Sequence, residues 1–324
     1  MQGTAVVADI GGTHARFGMV DSLGHLSNIA ILKCAEFDGL QSAYRAYVST
    51  HRIQSTRLAA AVACPVDRDQ IDLTNNHWSF SKAALIDQLK IDNALIINDF
   101  TAQSLAVVSV PSQSFEVLQT GIVDTQAPIF VIGPGTGLGV GGLVKDASGD
   151  WVPLSTEGGH VTLAAQTEDE WAVLQRLRTH YPHVSAERVI SGPGLLLLYK
   201  TLCDLEGQTA LVDSPADMIH AHRLDPLIER TFALFAGFFG IVASDGCLTL
   251  GATQAVCIAG GVVPKLGEHF RRDIFMQRFQ AKGRFESYLA RVPVKILLDS
   301  EAGLSGLALA LQTPALARFL VRSM

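Results

Sequence analysis

Asp9-Ile10-Gly11-Gly12-Thr13 follows the apolar run Ala5-Val6-Val7-Ala8 and precedes an alternating run that reaches Val20. The pattern predicts strand, very tight turn, strand. Glycines let a backbone come close to a phosphate and aim its N–H groups there. The Thr13 hydroxyl adds a donor. The Asp9 carboxylate stands where it can hold hydrated Mg²⁺, a cation usually bound through one or two carboxylates plus substrate phosphates. Together these residues suggest a nucleotide-phosphate site.

A second stretch has the same form. Ile129-Phe130-Val131-Ile132 leads into Gly133-Pro134-Gly135-Thr136-Gly137-Leu138-Gly139, a strand-like run to Val144, and a turn ending at Gly149. The first segment closes similarly at Asp21-Ser22-Leu23-Gly24. This points to an internal duplication with a period of a little over one hundred residues, and such repeats weigh heavily in assigning a fold. Two hairpins can clamp one polyphosphate from opposite sides. Residues 137–142 also match the dinucleotide fingerprint G-x-G-x-x-G, but that motif needs a helix after its glycines. Here Val140-Gly141-Gly142-Leu143-Val144 follows, which predicts a strand. A Walker-type loop needs G-K-[ST], which the chain lacks. Two ordinary tight hairpins are the plain alternative, weakened by their occurring as a pair.

The 324 residues exceed one typical core, so two domains are expected. Hydrophobic residues are 48% and charged residues 17% of the chain, which fits a compact globular protein. A net charge of −6 without a basic run argues against a nucleic-acid surface. The five cysteines are odd in number and widely spaced, without C-x-x-C, which fits free thiols in a reducing cytoplasm. No signal peptide is expected, because the first predicted strand starts almost at once. The apolar run 232–243 is short for a membrane span and reads as part of a buried helix, and 224–242 has a helical pattern.

Strands are predicted at 58–63, 95–97, 255–259 and 292–298. Helices are predicted at 101–108, 194–205 and 303–311, one capped by Ser79 and running to Leu89, and one opened by the capping box Thr167-Glu168-Asp169-Glu170 and running toward His180. The alternation indicates α/β architecture.

Asp99 is the catalytic candidate. Asn98-Asp99-Phe100 follows the strand at 95–97 and opens a helix, so Asp99 sits at a strand's C-terminal end, where ligands of open α/β sheets collect. A carboxylate there can accept the proton of a substrate hydroxyl during phosphoryl transfer. It can equally be an N-cap. Glu157-Gly158-Gly159-His160 joins an acid and an imidazole through a closely approaching turn. That pair suits sugar hydroxyls, which need acceptors and donors together, although His160 also fits as a structural histidine. Glu187 is either a ligand or an exposed first-turn acid favoured by the helix dipole.

The strings ADIGGTHARF, ACPV, LTNNHWSFS, INDFTAQSLA, GPGTGLGV, EGGHV, HVSAERVISGPGL, IAGGVVPKL, KGRF and GLSGLALAL occur in that order from Asp9 to Leu311. In this the chain resembles the bacterial glucokinase family of the hexokinase/actin-like ATPase superfamily. The resemblance implies a two-lobed actin-like ATPase (ribonuclease H-like) α/β fold with a central cleft. Residues 1–109 and 299–324 would form a small domain and 110–298 a large one. It implies phosphorylation of glucose by ATP in a cytoplasmic homodimer, without nucleic-acid or membrane partners.

By motif match, Asp99 would be the general base on the glucose 6-hydroxyl. Asn98, Glu157, His160 and Glu187 would hold other hydroxyls, with Asn75 approaching the sugar. Asp9 would organise Mg²⁺ through water. Gly11, Gly12 and Thr13 would cradle the phosphates, and Gly135, Thr136 and Gly137 would form the second clamp. Gly260 and Gly261 would lie against adenosine. Two positions depart from the family pattern: His14 stands where Asn is expected, and Pro134 where a small residue is usual. The Cys-rich zinc motif of the related repressor/kinase family is missing from the sequence.

Overall fold

A computed structural model of the chain describes residues 4–74, 76–221 and 223–322. The chain divides into two compact units. One comprises Met1–Ser112, Lys145–Ser155 and Asp299–Met324, the other Gln113–Val144 and Thr156–Leu298.

The first unit contains β1 (Ala5–Ile10), β2 (His14–Val20), β3 (Leu26–Lys33), α1 (Leu40–His51), β4 (Arg57–Val62), β5 (Gln70–Asp72), β6 (Ser79–Ser81), α2 (Lys82–Leu89), β7 (Asn93–Asn98) and α3 (Asp99–Ser109). The second begins with β8 (Phe115–Gln119), β9 (Ile129–Pro134) and β10 (Leu138–Lys145), after which β11 (Trp151–Ser155) groups with the first unit. It continues with α4 (Glu168–Arg178), α5 (Ala186–Val189), α6 (Gly192–Leu205), α7 (Pro215–Ala221), α8 (Pro226–Leu250), β12 (Ala255–Ile258), α9 (Val262–Leu266), α10 (Arg272–Gln280), α11 (Glu286–Leu289) and β13 (Val294–Leu297). The chain then returns to the first unit with α12 (Ala302–Ala310) and β14 (Leu320–Arg322).

The sheet of the first unit has the order β14-β7-β4-β1-β2-β3. Strands β1, β4 and β7 are parallel, and β2, β3 and β14 run against their neighbours. In the second unit the order is β10-β9-β12-β13-β8, with β9, β12 and β13 parallel and β10 and β8 antiparallel to them. Both expected Gly/Thr hairpins are therefore present, each feeding a parallel run. The segment after Gly137 is the strand β10, so the dinucleotide fingerprint lacks its helix.

Apolar residues fill both sides of the central strands. In β1 and β4 every position but Asp9 and Arg57 is buried, the run of apolar side chains expected of strands covered on both faces. Val6, Phe17, Tyr47, Leu58, Trp78 and Ile96 are among the residues of the first core. The second is built on α8, whose Phe235 and Phe239 lie in an aromatic cluster with Phe270, Phe275 and Phe279. By length and composition α8 can cross a membrane, yet most of it is buried inside the protein, as befits a core helix.

Three local expectations need correction. Ser79 does not cap α2. It pairs in β6, where its hydroxyl bonds Asp72, and Ser81 caps the helix by accepting from the Ala84 N–H at 3.1 Å. The helix expected over 224–242 is α8, which starts at Pro226 behind the cap Asp225 and runs to Leu250, closed by Gly251 in the left-handed region at φ 65°. The N-cap of α3 is Asn98, not Asp99. The capping box at Thr167 and Glu170 forms as expected.

Candidate functional site

Strand pairing brings the carboxyl ends of β1, β4 and β7 level in the first unit. Ile10 pairs with Val62, and Val62 with Asn98. Asp9 and Asp99 thus stand two strands apart at one edge of the sheet, on the order of 10 Å across it. The carboxyl ends of parallel strands are where α/β sheets bind ligands.

Asp9 is only partly accessible, and burial pushes its carboxyl above the usual range, with the opposing charge of Arg16 pulling it back. Arg16 is its partner across the hairpin. The carboxylate also faces the first turn of α12. A Cβ added at Gly303 would lie 2.7 Å from Asp9 Oδ2 and 3.3 Å from Gln103 Nε2. Glycine there leaves space beside the acid.

The turn after β1 is closed by the Gly11 N–H, which donates to the His14 carbonyl at 3.0 Å. Gly12 and Thr13 are exposed at its tip. Asn98 spends both ends of its amide on the protein: Oδ1 accepts from the Phe100 N–H at 2.9 Å and Nδ2 donates to the Cys64 carbonyl at 3.4 Å. Asp99 is the first residue of α3, and its Oδ1 accepts from the Phe100 N–H at 2.8 Å. Burial, then the negative charge of Asp9, raises the Asp99 carboxyl to about 6. Asn75 lies outside the described residues.

The second unit carries the remaining candidates. Between β9 and β10, Gly135 donates to the Gly137 carbonyl at 2.8 Å, and the Gly135 carbonyl accepts from the Gly192 N–H at 2.8 Å. A side chain at Gly135 would meet nothing within 4 Å, so the turn opens onto free space. Glu187, near the start of α5, accepts from the Leu138 N–H through Oε2 at 2.8 Å, and its Oε1 lies 3.8 Å from His160 Nδ1. A Cβ on Gly137 would collide with the Glu187 carboxylate.

Glu157 is exposed and leads into the short turn that carries His160, also exposed. The two intervening glycines are dictated by contact with β10. A Cβ on Gly159 would overlap the Leu138 carbonyl oxygen, and one on Gly158 would lie 2.7 Å from Val140 Cγ1. Thr136, His160 and Glu187 line one cavity of about 600 Å³ together with Tyr181, His183 and Arg188. Gly260 follows β12 at φ 79°, 2.6 Å by its missing Cβ from the Pro134 carbonyl oxygen, with Gly261 exposed beside it. Pro134 and Gly260 are therefore neighbours through backbone.

Thus Asp9, Gly11, Gly12, Thr13, Asn98 and Asp99 gather in one unit, and Gly135, Thr136, Gly137, Glu157, His160, Glu187, Gly260 and Gly261 in the other. Sequence reasoning passed over Gly303, Gln103, Tyr181 and His183. For Gly303 a signal existed: Gly303-Leu304-Ser305-Gly306 puts two glycines three apart on one helix face. A Cβ on Gly306 would overlap the Ala102 carbonyl oxygen, so that face lies directly on α3. Among the described residues no group of three or more His, Cys, Asp or Glu side chains forms a metal cage.

The glucokinase family model matches residues 6–314. The chain is 42% identical over 315 residues to a glucokinase of Paramagnetospirillum magneticum, covering 95% of this chain and 98% of that one. Among solved structures, glucokinase from an Antarctic psychrotroph superposes with a TM-score of 0.86 at 34% identity, covering 96% of this chain and 99% of the other. A glucokinase from Streptomyces griseus, solved with glucose and AMPPNP, shares the fold at a TM-score of 0.61 and 19% identity, covering 94% and 98%. A family model spanning nearly the whole chain, and close relatives matched almost end to end, place this chain in the glucokinase family.

Proposed function

We propose that this protein transfers the γ-phosphoryl group of Mg-ATP to the 6-hydroxyl of glucose. One observation carries the proposal beyond family membership. Asp99, at the carboxyl end of β7, has a carboxyl raised to about 6 by burial and by Asp9. It is therefore charged at neutral pH yet more basic than an ordinary aspartate, which suits a general base.

In the proposed reaction, the two units act as the lobes of an actin-like kinase, with the domain boundaries near 109/110 and 298/299. Asp99 accepts the proton of the 6-hydroxyl. The O6–Pγ bond forms, the bond from Pγ to the bridging β,γ-oxygen breaks, and ADP leaves. Asn98, Glu157, His160 and Glu187 hold the other hydroxyls, with Asn75 nearby. Glu187 and His160 form an acceptor–donor pair beside the Thr136 turn, in a cavity of about 600 Å³. The Gly11–Thr13 and Gly135–Gly137 turns offer backbone N–H groups to the phosphates, and Gly260 and Gly261 provide a bare surface for the adenosine. Such preorganised donors stabilise charge on the moving phosphoryl group without reorganising.

Asp9 fits an Mg²⁺ held through water, because its carboxylate is partly accessible and Gly303 keeps the space beside Oδ2 free. Bound Mg²⁺ supplies charge neutralisation to the phosphates. The assembly we expect is a cytoplasmic homodimer, which sedimentation of the purified protein tests.

The deciding experiment is a coupled assay with Mg-ATP and glucose that follows glucose 6-phosphate. Turnover that exceeds turnover of mannose and fructose supports the assignment. No turnover of any of the three rejects it.

A further inference from the structure

We propose that Asn76 is a positioning residue for the first phosphate turn, acting through the Gly11 carbonyl. The proposal rests on reading Gly11–Thr13 as a phosphate turn. Asn76 lies 65 residues from Gly11 in sequence, and its Nδ2 donates to the Gly11 carbonyl oxygen at 3.2 Å. Its Oδ1 accepts from the Trp78 N–H at 3.1 Å. Only one orientation of the amide satisfies both bonds, so the donor end is fixed toward Gly11. The Cys34 thiol reaches the same carbonyl at 3.7 Å, and the Cys34 N–H donates to the Thr13 carbonyl at 2.9 Å.

The consequence follows from peptide geometry. The Gly11 C=O and the Gly12 N–H belong to one planar trans peptide and point in opposite directions. Holding the carbonyl toward Asn76 therefore turns the Gly12 N–H away from it, out of the exposed tip of the turn. Among the described residues, no hydrogen bond within the protein uses the Gly12 or Thr13 N–H. With glycine on both sides of this peptide, its rotation meets little steric resistance, so an external pin is needed to keep the N–H aimed at an anion. Asn76 supplies that pin, and close to it the Leu73 N–H donates to the Trp78 carbonyl at 3.2 Å.

Two variants test this. Asn76→Ala removes both side-chain bonds. Asn76→Asp keeps the acceptor for Trp78 but removes the donor to Gly11. Both are expected to raise the KM for Mg-ATP, and the Kd for Mg-ADP by calorimetry, roughly three- to tenfold, the range for losing one hydrogen bond. The KM for glucose should move less than twofold, and the thermal midpoint of Asn76→Asp should stay near that of the parent. Nucleotide affinity unchanged in either folded variant overturns the proposal, as does a rise confined to the glucose KM. If Asn76→Ala does not fold, Asn76→Asp measured at high salt, which screens its added charge, decides alone. Calorimetry reads the pin without turnover, so a protein inactive on glucose defeats the function proposed above while still deciding this one.

Discussion

The Leu138 N–H donates to Glu187 Oε2 at 2.8 Å, joining the first residue of β10 to the start of α5 across 49 residues of sequence. Glu187 is thereby more than an exposed acid favoured by a helix dipole. One oxygen supports the backbone just after the Gly135–Gly137 turn, and the other faces His160 and the cavity. A single carboxylate thus links a proposed phosphate clamp to proposed sugar contacts.

Splitting those two duties predicts different outcomes for two substitutions. Glu187→Gln keeps a carbonyl oxygen for Leu138 but loses the charge. It should weaken glucose binding by about tenfold or more, as expected for a hydrogen bond to a charged group, while ATP affinity changes little. Glu187→Ala should raise both constants, because the Leu138 N–H loses its partner. Steady-state KM values for each substrate check this. An unchanged glucose KM with a raised ATP KM in Glu187→Gln would remove Glu187 from the sugar site.

Asp99→Asn should retain glucose binding and lose turnover by about 10²- to 10⁴-fold, the usual contribution of a general base. Because Asp99 must be ionised to accept a proton, kcat/KM of the parent enzyme should rise with pH and level off above about 6, the value set by burial and Asp9. Single-turnover measurements from pH 5 to 8 test both points. A flat acid limb, or near-normal turnover in Asp99→Asn, would refute the base assignment.

Much of the local structure around the candidate site was legible because its signals are local. Tight Gly/Thr turns between apolar runs specify hairpins, and Asn98-Asp99 before an apolar helix specifies a strand end. Local signals also misplace neighbours. Ser79 and Ser81 are both plausible caps, and only strand pairing with Asp72 shows that Ser79 is already engaged. Asn98 and Asp99 both cap well in isolation, yet the pairing of β7 with β4 makes Asn98 the last strand residue and so the cap. The contacts between Asp9 and Gly303, or Asn76 and Gly11, join distant segments through the tertiary fold, and no periodicity encodes them.

The raised carboxyl of Asp99 also carries a stability cost with a definite sign. Its folded pKa of about 6 exceeds the ordinary value of 3.8, so the native state binds the proton more tightly than the unfolded chain. Its contribution to stability is therefore fully favourable below the unfolded value and is lost as pH rises through about 6. At pH 7.5, Asp99→Asn should be more stable than the parent by on the order of 3 kcal/mol. That advantage should shrink to nothing below about pH 4. Urea unfolding at the two pH values measures it. An equal difference at both would mean that the burial of charge is not its source.

The crossing of α3 and α12 carries the last prediction. Gly306 has no room for a side chain, since a Cβ there would overlap the Ala102 carbonyl oxygen, which is backbone and cannot swing away. Gly303, one turn earlier, is limited instead by the Asp9 carboxylate and the Gln103 amide, whose ends are free to shift. Gly306→Ala must therefore push the helices apart and should cost about 1–3 kcal/mol or more, the usual range for overpacking, visible as a lower melting temperature. Gly303→Ala should cost less stability but displace Asp9, raising the Mg²⁺ concentration needed for half-maximal turnover. If Gly303→Ala lowered the melting temperature as much as Gly306→Ala and left the Mg²⁺ requirement unchanged, the space beside Asp9 would serve packing alone, and the assignment of Asp9 to the cation would lose its structural support.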